Sequence, residues 1–284
     1  MISLSRRDFL KTSGAVCAMT SVGAFRCSQK QATPKTIPLG VQLYSVRSEC
    51  QKDFVATIQK VAEIGYQGVE FAGFYEYAAP ELKQILNDYG LLCCGSHTQL
   101  AALVPDQIDA TIEFNATIGN KYLIVPWLPE EKRQTIDDWK KLAEEFNQLA
   151  VKAESHGMRV GYHNHDFEFK PLDGQLPWDV FAENTNENVI LQLDTGNCMH
   201  GGADALATLK RYPGRATTIH LKEYSESNPD AILGEGDIPW KEVFAFCENE
   251  GATEWYIIEE EKDIYPPLEA IAKCYTNFQT IAAS

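Results

Sequence analysis

Between residues 161 and 169 the chain reads GYHNHDFEF. His163, His165, Asp166 and Glu168 crowd into a run that is otherwise suited to a strand. A buried strand rarely holds that many ionisable groups unless they are paired or ligate something. Other stretches have the same character. Asp194 sits in LQLDTGN, His220 and Lys222 in HLKEY, and Glu259 and Glu261 in IIEEE. Glu70, His97 and Trp127 close further apolar runs. Carboxylates and imidazoles with no thiolate among them suit a divalent cation by mixed O/N ligation. Glu168, Asp194, His220 and Glu259 therefore read as ligands for Mn²⁺, Mg²⁺, Co²⁺, Fe²⁺ or Zn²⁺, and ligand softness does not choose among these. His165 and His163 are the candidate acid or base, because imidazole titrates near neutrality. Lys222 is the candidate for holding a substrate oxygen or the charge that grows on it.

Each residue also has a plainer reading. Asp194 precedes Thr195-Gly196 and could form an Asx turn. His220 could be a satisfied core histidine. Strand alternation places Glu259 and Glu261 on one face and Glu260 on the other, and Glu259, directly after Ile257-Ile258, lies deepest. Glu168 shares its corner with His163 and His165, either of which could take the ligand position. Glu70, His97, Trp127 and Glu261 are expected to face the substrate, with a structural role as the alternative for Glu70 and His97.

The elements that must position these residues follow from hydrophobic period. Short apolar runs, such as 37–46 and the near-continuous VILQLD and WYIIEE, alternate with longer stretches of helical spacing, several of them ending in Gly. Strands apolar on both faces are those of a parallel sheet covered by helices. Eight strand–helix repeats in this length favour a closed (β/α)₈ barrel, a single α/β TIM barrel, over an open doubly wound sheet. No Gly-rich dinucleotide fingerprint follows the first strand. In such a barrel the strand C-terminal ends carry the site, and the ionisable residues named above collect there.

The first thirty residues stand apart. SRRDFLK is followed by a short apolar, small-residue run, the pattern of an export signal and too short for a stable membrane span. Arg6-Arg7 with Phe9 and Leu10 resembles a bacterial twin-arginine signal. The expected organisation is an export signal over 1–30, a linker over 31–36 and the barrel over 37–284, with a periplasmic location. Arg26 stands where a lipobox before Cys27 wants a small residue, which argues against a lipid anchor. The whole chain of 284 residues carries a formal charge of −15. Its first thirty residues hold five cations against Asp8, so the remainder is more acidic still. An acidic surface repels phosphate backbones and excludes nucleic acid as the expected partner. The six cysteines beyond residue 30 show no zinc-type CxxC spacing and read as buried free thiols.

Together GVEF, GYHNHDFEF, LQLDTGN, HLKEY, GEGDIPW and EWYIIEEE resemble the xylose-isomerase-like TIM barrels, the sugar phosphate isomerases/epimerases, over about residues 37–284. The resemblance implies one metal held by Glu, Asp, His and Glu from strands five to eight. The last three correspond to Asp194, His220 and Glu259. At the first, this chain has His163 in place of Glu, and Glu168 is the nearest Glu. Relatives with HxH at that point resemble inosose dehydratases and lyases of 3-keto-glycosides. The family's shared half-step removes a proton beside a carbonyl and stabilises an enediolate. The expected activity is a sugar isomerase or epimerase. The alternatives are a lyase or dehydratase acting by β-elimination, and a non-catalytic carbohydrate-binding barrel. The expected substrate is a non-phosphorylated sugar or keto-sugar, because the strand ends offer few cations beyond Lys222 and Arg47. A homo-oligomer stays open.

Overall fold

The computed structural model describes residues 36–284. The export signal and all but the end of the linker lie outside the described residues. Eight parallel strands run in chain order: β1 Leu39–Gln42, β2 Gly68–Phe71, β3 Leu92–His97, β4 Tyr122–Val125, β5 Arg159–His163, β6 Ile190–Gln192, β7 Thr218–Leu221 and β8 Trp255–Ile258. Each pairs with its sequence neighbour, and β1 also pairs with β8. The remaining seam, β6 to β7, is bridged where Asp194 pairs with His220. There His220 N donates to Leu193 O at 2.9 Å. The barrel is thus nearly closed, and the seam joins two of the expected site residues.

Two layers of apolar packing explain the pattern of each strand. Alternate side chains point outward into a large core against the helices. The others, Cys94, Tyr122, Ile124, Ile190, Trp255 and Ile257, fill the barrel interior. That interior leaves no room for a side chain at Gly161, where a Cβ would stand 2.6 Å from Ile190 Cβ.

Among the described residues there are ten α-helices rather than eight, because two connections each carry a pair. After β1 come α1 Arg47–Lys52 and α2 Phe54–Ile64. After β6 come α7 Thr195–His200 and α8 Ala205–Arg211. The others are α3 Ala79–Asp88, α4 Ile108–Ile118, α5 Ile136–Glu154, α6 Pro177–Asn184, α9 Trp240–Asn249 and α10 Pro267–Ala282. The extra helix α7 matters for the site. Its N-cap is Asp194, two residues beyond the end of β6. No described helix is long and apolar enough to cross a membrane. Cys50, Cys93, Cys94, Cys198, Cys247 and Cys274 are buried free thiols.

Candidate metal and active centre

His163, Asp194, His220 and Glu259 come from four consecutive strand ends, and each offers a donor atom within 4.8 Å of the others. All four are buried. Burial of so many polar groups requires partners, and most of those partners are present. His220 Nδ1 lies 3.0 Å from Glu259 Oε2, and its Nε2 lies 2.6 Å from Glu70 Oε2. Burial opposes charge on this ring, but Glu70 and Glu259 outweigh it and raise the imidazole to about 10. His163 is different. Burial, with His220 and His97 close by, holds it well below the usual imidazole range. Its Nδ1 is 3.2 Å from Gln192 Oε1, and its Nε2 is 4.0 Å from both Asp194 Oδ2 and Glu259 Oε2.

Asp194 divides its two oxygens. Oδ1 accepts from Asn197 N at 2.7 Å and caps α7. Oδ2 is buried and accepts no hydrogen bond, although Lys222 Nζ stands 3.4 Å away. Burial raises this carboxyl to about 7 against the pull of Lys222. A buried carboxylate oxygen without a hydrogen bond, facing Glu259 and two imidazoles, is the environment a divalent cation satisfies. The donor set therefore fits a metal, with His163, Asp194, His220 and Glu259 as its holders. Glu70 behind His220 completes a carboxylate–imidazole pair of the kind that orients metal-bound histidines.

Around this cluster the expected residues take up distinct positions. A cavity of about 360 Å³ opens above it, and His97, Trp127, His165, Lys222 and Glu261 line it. Lys222 Nζ reaches Asp194, Glu259 and Glu261 at 3.4, 3.4 and 3.2 Å. Burial disfavours its charge, but these carboxylates prevail and hold it protonated. His165 Nδ1 is buried with no partner. Burial, then the nearby Lys222, lowers this ring to about 4, so it is neutral.

Two residues do not stand where the sequence placed them. Glu168 is not brought into the cluster. It lies in a short 3₁₀ turn after β5, where Oε1 takes the Tyr162 hydroxyl and Oε2 accepts from His165 N at 2.9 Å. Its partner Tyr162 packs against Trp139, Phe146 and Trp178 in the core between strands and helices, so the carboxyl is held on that side and not at the cluster. His163 occupies that corner instead. Glu70 is fully buried and does not line the cavity. His97 and His220 keep it ionised despite burial.

Gln192 is absent from the expected set and is a hub of the site. Its amide nitrogen donates to Glu70 Oε1 and Thr218 Oγ1, both at 2.9 Å. Its carbonyl oxygen faces the rings of His97 and His163 at 3.3 and 3.2 Å. Gln42 donates a further bond to Glu70 Oε2 at 2.7 Å. Gln192 was detectable: a polar residue in VILQLD, two before Asp194, shares its face by strand alternation. Gly95 also serves the site, since a Cβ there would stand 2.4 Å from Glu70 Oε1.

Comparison with known proteins agrees with the barrel fold. The family model for the xylose isomerase-like TIM barrel matches residues 58–274, and that for a twin-arginine translocation signal matches residues 3–23. The latter supports export from the cytoplasm. An inosose dehydratase of Clostridium perfringens is 28% identical over 158 residues, 48% of this chain and 52% of that protein. The match thus spans about half the length of that relative. An inosose dehydratase of Geobacillus kaustophilus is 26% identical over 259 residues, 77% of this chain and 82% of the relative. A solved sugar phosphate isomerase/epimerase from Parabacteroides distasonis superposes with a TM-score of 0.72 at 23% identity, covering 84% of this chain and 96% of its own. At that identity the likeness is one of fold. The curated names correct one expectation. They denote dehydratases, which are carbon–oxygen lyases, and so overturn the isomerase or epimerase class in favour of elimination.

Proposed function

The chain belongs to the xylose isomerase-like TIM barrel family, and we propose that it is an exported, metal-dependent carbon–oxygen lyase acting on a polyhydroxylated ring ketone such as an inosose. The observation that carries this reading is the buried donor set, with Asp194 Oδ2 accepting no hydrogen bond, set beneath a cavity lined by a neutral imidazole and a lysine. The curated relatives support elimination as the outcome.

A bound divalent cation would supply Lewis acidity to a carbonyl and its neighbouring hydroxyl. The protein's own groups carry the rest. His165 lines the cavity as a neutral imidazole, so its ring is the candidate to take the proton from the carbon beside the carbonyl. Lys222 presents a fixed positive charge where negative charge grows on a substrate oxygen. The electron pair of the broken C–H bond forms the C=C bond. The C–O bond at the next carbon breaks, and the departing oxygen takes a proton and leaves as water. His97, Trp127 and Glu261 wall the substrate, while Glu70 and Gln192 hold the imidazoles in place from behind. Lys222 is the sole Lys or Arg among the described cavity residues and is already engaged by three carboxylates. That argues for a non-phosphorylated substrate. After export, the periplasm is the proposed place of action.

The test is metal analysis of the purified protein, followed by an ultraviolet assay of enone formation from an inosose before and after chelation. Activity should vanish with the metal and return on readdition. His165→Gln should lower kcat by about 100-fold or more with metal content intact. If Asp194→Ala retained full metal and full activity, the reading would be wrong.

A further inference from the structure

The turn Phe167–Phe169 that follows His165 gives each of its residues a separate contact. Phe169 is buried, its ring centroid 5.6 Å from that of Trp178, and anchors the turn in the core. Glu168 accepts the His165 backbone N–H at 2.9 Å and fixes the chain beside the imidazole. Phe167 stacks on the imidazole itself. The two ring planes are 5° from parallel and their centroids are 5.7 Å apart, an offset-stacked arrangement. The Arg133 guanidinium lies over the Phe167 ring, 3.9 Å from its centroid. A cation in that position is attracted by the negative face of the ring. Arg133 belongs to the connection between β4 and α5, where its Nε donates to Leu128 O at 3.1 Å. The stack therefore joins the connection after β4 to the one after β5.

A general base is ordinarily oriented by a third group that bonds to its far ring nitrogen. His165 has no such partner at Nδ1, which is buried and unbonded. Its ring contacts are the edge of His163, at 5.5 Å and 82°, and the face of Phe167. We propose that Phe167, braced by Arg133, is a positioning residue that sets the tilt of the His165 imidazole in the cavity wall. The part that this tilt plays in proton removal rests on the elimination reading. The tilt itself does not. A misdirected base lowers rate while the groups that bind the substrate are untouched, so the loss belongs to kcat and not to KM.

Crystal structures of the zinc-loaded protein and its variants read the tilt, and the enone assay reads its consequence. Phe167→Leu should leave the imidazole rotated or split between conformers, and should lower kcat by about 10–100-fold with KM and zinc content unchanged. Phe167→Tyr keeps the aromatic face and should restore both the tilt and the rate. Arg133→Ala removes only the brace, at a half-buried position, and should disturb the same ring with a smaller loss of kcat. If Phe167→Leu fails to fold, Arg133→Ala carries the same two readouts. An imidazole that keeps one unchanged conformer in Phe167→Leu and Arg133→Ala overturns the proposal. So does an unchanged kcat, or a loss carried by KM. A wild type that eliminates nothing, but whose His165 ring turns when Phe167 or Arg133 is replaced, supports the positioning and sinks only the reaction.

Discussion

In the corner after β5, Glu168 keeps its proton at neutral pH. Burial raises its carboxyl from 4.5 to about 8, although the Tyr162 hydroxyl and the His165 amide both favour the ionised form. The native state therefore retains a proton that the unfolded chain releases above pH 4.5. Stability from this group is fully present below that pH and is lost as pH rises towards 8. Gln at this position can accept from His165 N at its oxygen and donate from its amide nitrogen to the Tyr162 oxygen, and it does not titrate. Between pH 5 and 8 the wild type should lose on the order of 3 kcal/mol more than Glu168→Gln in urea unfolding. Parallel curves for the two proteins would show that Glu168 is ionised in the fold. Glu70 offers the opposite case, a carboxylate kept charged by two imidazoles. Glu70→Gln should leave the fold intact and weaken metal binding about 10–100-fold, measured by competition with a chromophoric chelator.

At the scale of elements, α7 carries the clearest consequence. Its first turn is capped by one oxygen of Asp194, and the other oxygen is left to the cluster. Asn caps as well as Asp, so Asp194→Asn should keep the helix start and lose the metal. Asp194→Ala should lose both, and without metal it should be about 1 kcal/mol less stable than Asp194→Asn. Chelator-treated variants in chemical denaturation separate the two roles. If the Ala and Asn variants unfold together, the cap contributes nothing. The Asx and ligand readings of Asp194 are therefore compatible, because a carboxylate has two oxygens and this turn uses only one.

For the whole molecule, the cluster ties β5, α7, β7 and β8 together across the seam between β6 and β7, which has no continuous strand pairing but an isolated bridge of Asp194 with His220. A ligand that binds only the folded state stabilises it by mass action. At free metal one hundred times its Kd the gain is about 2.7 kcal/mol, worth roughly 5–10 °C in Tm for a domain of this size. Scanning calorimetry with and without chelator should show that shift, and Asp194→Ala should abolish it. A metal-independent Tm in the wild type would show that the four donors hold no ion.

Hydrophobic period set the alternation of strands and helices and favoured the barrel. Eight apolar runs alternating with helical ones in this length suit a closed parallel barrel better than an open doubly wound sheet, and the strand C-terminal ends then share a face. For the same reason Asp194, His220 and Glu259 were legible as neighbours, since each sits at the end of a strand whose register is set by its own apolar residues. What lay beyond the strand ends was not legible. The path of the chain after His163 and the start of α7 at Asp194 depend on turns and packing that no period encodes. So does the room that Gly95 leaves for Glu70. Tertiary structure alone therefore carried Glu168 away from the cluster, put His163 in its place, and drew Glu70 and Gln192 behind the imidazoles.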